Sequence, residues 1–189
     1  MSTLYEYYNT GEDSYGYVGA YSGALWRGQT FTPQVSHKIT SVKLKLYRYG
    51  SPGTITVGIR ATDGSGHPTG EDLCSGTTNG NTLPTTYGTA EWREITFASG
   101  YDLSASTKYA IVVRAINGGD YNHVRWLHDS TDATYSGGAQ EYSENSGSSW
   151  ETDAGIDLMF EEWGIATIWL LKENDNVLLK YSDNVLLIV

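Results

Sequence analysis

Two neighbouring stretches of this chain alternate apolar and polar residues with a period of two, and no other feature narrows the possible folds as far. In 38–48, Val42, Leu44 and Leu46 alternate with Lys43, Lys45 and Tyr47; in 54–60, Ile55, Val57 and Ile59 repeat the pattern. Successive side chains of a strand point to opposite faces, so each run reads as a strand with one face covered. Between them lies Tyr49-Gly-Ser-Pro-Gly53, rich in turn formers, and the two runs are predicted to form a hairpin. Further strands are predicted at 25–32, 91–98, 108–116, 123–128 and 156–163. Fifteen Tyr, six Trp and 22 Gly suit pleated surfaces and tight turns, and no stretch carries a persuasive helical period.

Short strands separated by turn signals predict an all-β fold: a two-sheet antiparallel sandwich of jelly-roll type over 25–164, with a Tyr-rich segment, 1–24, before it. Alternation nominates the core as Phe31, Val42, Leu44, Leu46, Ile55, Val57, Ile59, Trp92, Ile95, Phe97, Ile111, Val113, Val124, Trp126, Leu158 and Phe160. Trp92 is out of phase with Ile95 and Phe97, so either a bulge intervenes or Trp92 points outward. Six of the tyrosines (Tyr5, Tyr7, Tyr8, Tyr15, Tyr17 and Tyr21) crowd into the first segment. That segment is either an outer strand of its own sandwich or an arm for a neighbour's sheet edge.

Composition changes at Gly164. Fifteen of the 25 residues in 165–189 are apolar, and Asp175-Asn-Val-Leu-Leu179 recurs as Asp183-Asn-Val-Leu-Leu187. Each Asn/Asp pair supplies a turn, which predicts a C-terminal three-stranded β-meander. Its strands are apolar on both faces, a pattern expected where both are covered, and further copies of the chain are the simplest cover. Trp169, Leu171, Val177, Leu179, Val185, Leu187 and Val189 are the expected assembly interface.

The net charge of −10 repels a phosphate backbone and an anionic membrane, so no nucleic-acid or membrane partner is expected. The charge is divided. Six basic residues and no acid lie in 25–60, whereas 116–163 holds ten acids against Arg125 alone. Such a division either steers copies head to tail or neutralises neighbouring strands within one domain. The one cysteine, Cys74, excludes an intrachain disulfide and a multi-cysteine zinc site.

Candidate chemistry is sparse. The loop 62–70, with Asp63, Ser65 and His67, lacks the Gly-Lys-Ser/Thr of a phosphate loop and the carboxylates of a calcium loop, and reads as a plain turn. His123 and His128 fall on opposite faces of a strand, Glu161 and Glu162 diverge, and no Gly-x-Ser-x-Gly elbow occurs. No catalytic residue, metal or cofactor is therefore expected. Sugar rings stack on exposed aromatics, and the acidic segment offers Tyr121, Trp126, Tyr135, Tyr142 and Trp150 among Asn, Asp and Gln as candidate glycan-binding residues.

Several phrases together resemble one family: Trp26-Arg-Gly-Gln-Thr-Phe-Thr-Pro33, Ile39-Thr-Ser-Val42, Ala61-Thr-Asp-Gly-Ser-Gly-His-Pro-Thr-Gly70, Thr107-Lys-Tyr-Ala-Ile-Val-Val113 and Gly147-Ser-Ser-Trp150 with Asp157-Leu-Met-Phe160. They are similar to the jelly-roll modules called choice-of-anchor domains, found in prokaryotic surface proteins and tailed-phage structural proteins. The resemblance spans about 25–164 and implies display or adhesion, with no catalytic residues. Neither a signal peptide at the start nor a sorting anchor is evident, which favours the phage setting. The expectation is a non-enzymatic structural or adhesion protein of a multi-copy surface assembly, a virion decoration or fibre component assembled in the host cytoplasm. Its partners would be further copies, other proteins of the assembly and surface glycans. The rival expectation is a monomeric carbohydrate-binding module.

Overall fold

A computed structural model describes residues 1–173, 176–181 and 184–187. Among the described residues, sixteen strands form three antiparallel sheets, two of which face each other as a sandwich. The seven-stranded sheet contains β1 (Thr3–Tyr8), β2 (Ser14–Val18), β4 (His37–Tyr49), β7 (Glu91–Leu103), β9 (His123–Asp129), β12 (Asp157–Leu158) and β13 (Phe160–Ala166). The six-stranded sheet, in spatial order, is β11 (Glu151–Asp153), β10 (Gln140–Ser143), β3 (Trp26–Phe31), β8 (Tyr109–Arg114), β5 (Thr54–Thr62) and β6 (Pro68–Asn79). Two 3-10 turns, at Gly80–Thr82 and Tyr87–Thr89, lie between β6 and β7.

Alternating residues of both sheets meet in one core. Of the sixteen core residues nominated by alternation, fifteen are buried, and Trp92 alone is not. It points outward, half-buried against a second apolar cluster of Tyr47, Leu127 and Met159 on the outer face of the seven-stranded sheet.

The expected hairpin does not form. Strand β4 pairs with β7, β9 and β13, while β5 pairs with β6 and β8. Residues 49–53 instead carry the chain from one sheet to the other, turning at Gly50 (φ 63°) and Gly53 (φ 75°). A Cβ on Gly50 would lie 2.0 Å from the Tyr121 carbonyl oxygen, so the link needs glycine for space as well as for φ. Alternation required β4 and β5 to cover each other's apolar faces, and strands in opposite sheets do so as well as strands side by side.

The true hairpin is β5–β6 around Asp63–Gly66, where Asp63 Oδ1 accepts from the Ser65 and His67 amides. The stretch 62–70 thus contains the turn its sequence suggested, at 63–67, with its ends paired as strand. Strands β1 and β2 add to the chain's own sheet, β1 on β13 and β2 on β9. Part of the basic segment faces acids within the domain: on β4, Lys43 stands in register between Glu161 of β13 and Glu94 of β7, and Lys45 pairs with Glu12.

The tail forms the predicted meander of β14 (Ile168–Glu173), β15 (Asn176–Tyr181) and β16 (Asn184–Leu187), which among the described residues has no strand pairing with either sandwich sheet. The side chains of the expected interface, Trp169, Leu171, Val177, Leu179, Val185 and Leu187, and all of Val189, lie outside the described residues.

Candidate functional site

Strand β9 runs between β2 and β4, and its register builds an unusual environment for one cation. Arg125 stands directly opposite Tyr17 of β2 and Tyr47 of β4. The diagonal neighbours are Tyr15 and Tyr49, because tyrosines two residues apart share a strand face. The guanidinium carbon lies 4.9 Å from the Tyr15 ring centre, 5.6 Å from Tyr17, 5.3 Å from Tyr47 and 5.2 Å from Tyr49. Four rings thus offer their electron-rich faces to a single positive charge.

Two neutral groups orient it. Arg125 Nε donates to His123 Nε2 at 3.2 Å, and Nη1 donates to the Tyr47 hydroxyl at 3.4 Å. An imidazole that accepts at Nε2 must be neutral, with its proton on Nδ1, which faces the Gly119 carbonyl at 3.4 Å. Burial favours that neutral form, and with the charge of Arg125 it holds His123 below the ordinary imidazole pKa. Burial likewise pushes the Tyr47 phenol up to about 12, so it stays a neutral hydroxyl.

Above this cage opens a cleft of about 340 Å³, lined by Tyr17, Ala20, Tyr21, Tyr49, Asp120, Tyr121, His123 and Arg125. One wall is the turn 19–24, in which Tyr21, Ser22 and Gly23 all have positive φ. Gly23 (φ 85°) passes so close to β8's outgoing chain that a Cβ would lie 2.3 Å from the Ile116 carbonyl oxygen. The Tyr21 amide donates to Asp120 Oδ1 at 3.0 Å, tying this wall to the opposite turn 119–122. Tyr121, 77% exposed, forms the tip of that turn. Among the described residues six tyrosines are exposed, and four of them (Tyr17, Tyr21, Tyr49 and Tyr121) line this cleft.

The five aromatics singled out from sequence separate. Tyr121 is on the cleft. Tyr142 lines an adjoining cavity of about 280 Å³ that shares Tyr17 and Tyr21, with its hydroxyl donating to Glu151 at 2.5 Å. Trp150 lies elsewhere, in a polar cavity of about 370 Å³ with Arg60, Asp63 and His67. Trp126 is fully buried, its Nε1 donating to the Met159 carbonyl at 2.8 Å, so neither ring face is open to a ligand. Tyr135 is half-buried, its ring against Phe160 and its hydroxyl donating to Glu6 at 2.9 Å, and it does not line the cleft.

Tyr17, Tyr21, Tyr49, His123 and Arg125 were not among the candidate site residues. The two-residue spacings 15/17 and 47/49 were visible in sequence, but not that both pairs flank residue 125. Elsewhere, burial pushes the Cys74 thiol up to about 12, far from a reactive thiolate. His123 and His128 lie on opposite faces of β9. Among the described residues no group of His, Cys, Asp or Glu is placed to hold a metal ion.

The fold is similar to that of the cysteine protease and lectin-like domains of Cwp84, a surface layer associated protein of Clostridium difficile. The TM-score is 0.55 at 12% identity, over 87% of this chain and 36% of that one. This chain is thus a β-sandwich distantly resembling the lectin-like domain of that protein, and spans about a third of its length. No protein-family model matches the chain, and no curated protein matches it in sequence.

Proposed function

We propose that this chain is a non-enzymatic, surface-displayed adhesion module that binds carbohydrate in the tyrosine cleft. One observation carries the reading: four exposed tyrosines gather around a single concave site that also presents Asp120 and Arg125. Tyrosine is adapted to this use, because its ring stacks on the C–H face of a pyranose while its hydroxyl and nearby polar side chains engage the sugar hydroxyls. Exposed apolar groups concentrated in one place, rather than scattered, mark a binding surface. The likeness to a lectin-like domain is in keeping with this reading, and so is the resemblance of residues 25–164 to choice-of-anchor modules.

A glycan array probed with the wild-type chain and with Tyr121→Ala tests it. Because Tyr121 is so exposed, its replacement leaves the fold intact and should weaken every genuine hit. An array without hits, or hits indifferent to both Tyr121→Ala and Tyr49→Ala, refutes the site.

A second reading concerns the setting, a multi-copy assembly such as a phage-type virion. The separate sheet β14–β16, whose sequence is apolar on successive residues, favours it. Light scattering of the full chain and of Leu187→Asp tests it. A concentration-independent monomer for the wild type refutes it.

A further inference from the structure

We infer that the ligand of the tyrosine cleft is an acidic saccharide, and that Arg125 takes the sugar's carboxylate. This rests on the cleft being a glycan site and goes further by naming the chemical class. The starting point is an imbalance. Arg60 and Arg114 share the carboxylate of Asp72, and Arg93 has Glu91, whereas the hydrogen-bond partners of Arg27, Arg48 and Arg125 are all neutral, and of these three it is Arg125 that lines the tyrosine cleft. Its charge is left to the faces of four tyrosines, in a protein whose net charge is −10.

The donor count says how a ligand would meet it. A guanidinium has five N–H groups; Nε and one hydrogen of Nη1 are engaged by His123 and Tyr47. Three remain, one on Nη1 and two on Nη2, and these terminal nitrogens form the fork that matches the two oxygens of a carboxylate. His123 and Tyr47 fix the guanidinium before the ligand arrives, so little rotamer freedom is lost on binding.

The charge count disfavours a dianion. The lining includes one cation, Arg125, and one carboxylate, Asp120, whose Oδ1 already accepts from the Tyr21 amide. A single negative charge on the ligand is matched by Arg125, but a dianionic phosphate would leave a charge uncompensated beside Asp120. Tyr121 and Tyr49 supply the stacking surfaces, and a carboxylated pyranose, a uronic acid or a sialic acid, carries both the ring and the charge in one residue.

Calorimetric titration with matched pairs tests the inference: sialyllactose against lactose, and oligogalacturonate against its methyl ester. The acidic member of at least one pair should bind about tenfold tighter or more, with a preference that shrinks in about 0.5 M salt. Arg125→Gln should abolish the preference while leaving weak binding of the neutral sugar, and Arg125→Lys should keep only part of it. Should Arg125→Gln fail to fold, the wild-type preference, its salt dependence and Arg125→Lys still decide the matter. Equal binding of acidic and neutral members, lost together in Tyr121→Ala, overturns the inference while leaving the cleft a glycan site. Preference for a sulfated over a carboxylated sugar overturns it as well. Binding of no glycan at all overturns the proposed function with it.

Discussion

Replacing Glu162 by Gln should flatten the pH dependence of stability above neutrality. Glu162 and His37 are both fully buried, and the imidazole Nε2 lies 2.8 and 2.9 Å from the two carboxylate oxygens. The Tyr5 ring stacks on the imidazole at 3.7 Å, and His37 Nδ1 donates to the Val35 carbonyl. Burial raises the pKa of Glu162, with His37 pulling against it. For His37, burial acts to lower the pKa, but the hydrogen bond and charge of Glu162 outweigh it and the net shift is upward from 6.5. Both shifts have one sign: the folded pair keeps its proton at a pH where the unfolded chain has released it. The stabilisation is therefore complete below the unfolded imidazole pKa and is lost as pH rises through the folded one. Between those values the slope approaches about 1.4 kcal/mol per pH unit. Urea denaturation between about pH 6.5 and 8.5, followed by tryptophan fluorescence, measures it. His67, raised by its bond to Glu141, contributes the same sign in both proteins and cancels in the comparison. Glu162→Gln keeps a polar partner of the same size and should remove the pair's share of the slope. Glu162→Ala, which strands His37 in the core, should cost about 3–5 kcal/mol. Parallel pH profiles for wild type and Glu162→Gln would show that the pair does not hold a proton, and would refute the reasoning.

Three further outcomes follow from particular contacts. Asp72→Asn removes the carboxylate that joins Arg60 and Arg114, whose guanidiniums both lie over Trp26, and should cost about 2–3 kcal/mol in chemical denaturation. Trp126→Phe keeps an aromatic in the core but leaves the Met159 carbonyl with only the longer bond from the Lys45 amide at 3.4 Å, and should lower stability by about 1 kcal/mol without altering the circular dichroism of the folded state. Gly23→Ala combines a positive φ with a clash against the Ile116 carbonyl; a loss of more than about 1 kcal/mol is expected, together with weaker ligand binding as the cleft wall shifts, both measurable by melting with and without ligand.

What could be read from sequence, and what could not, divides on range. Alternation in β4 and β5 fixed which side chains turn inward, because that is a property of consecutive residues, and fifteen nominated core positions are buried accordingly. It could not say whether those strands lie side by side or face to face, since either arrangement covers the same apolar faces. Strand β6 is not legible in the sequence because its run of Thr, Gly and Asp shows no such alternation; it is an edge strand, paired among the described residues with β5 alone. Trp126 qualified on sequence as core and as ligand contact at once, and its phase with Val124 already favoured the core, where the structure places both. Tyr121 was legible for a local reason, an aromatic in a turn-forming Gly-Gly-Asp context that no strand could bury. Arg125 was not. Its cage depends on β9 lying between β2 and β4, strands more than 70 residues away along the chain, and on a register that sets residue 125 opposite residues 17 and 47. With that strand order known, the two tyrosine pairs at the same spacing dictate four rings around one guanidinium. The site is therefore a property of the sheet's order, with the tyrosine spacing as its only local trace.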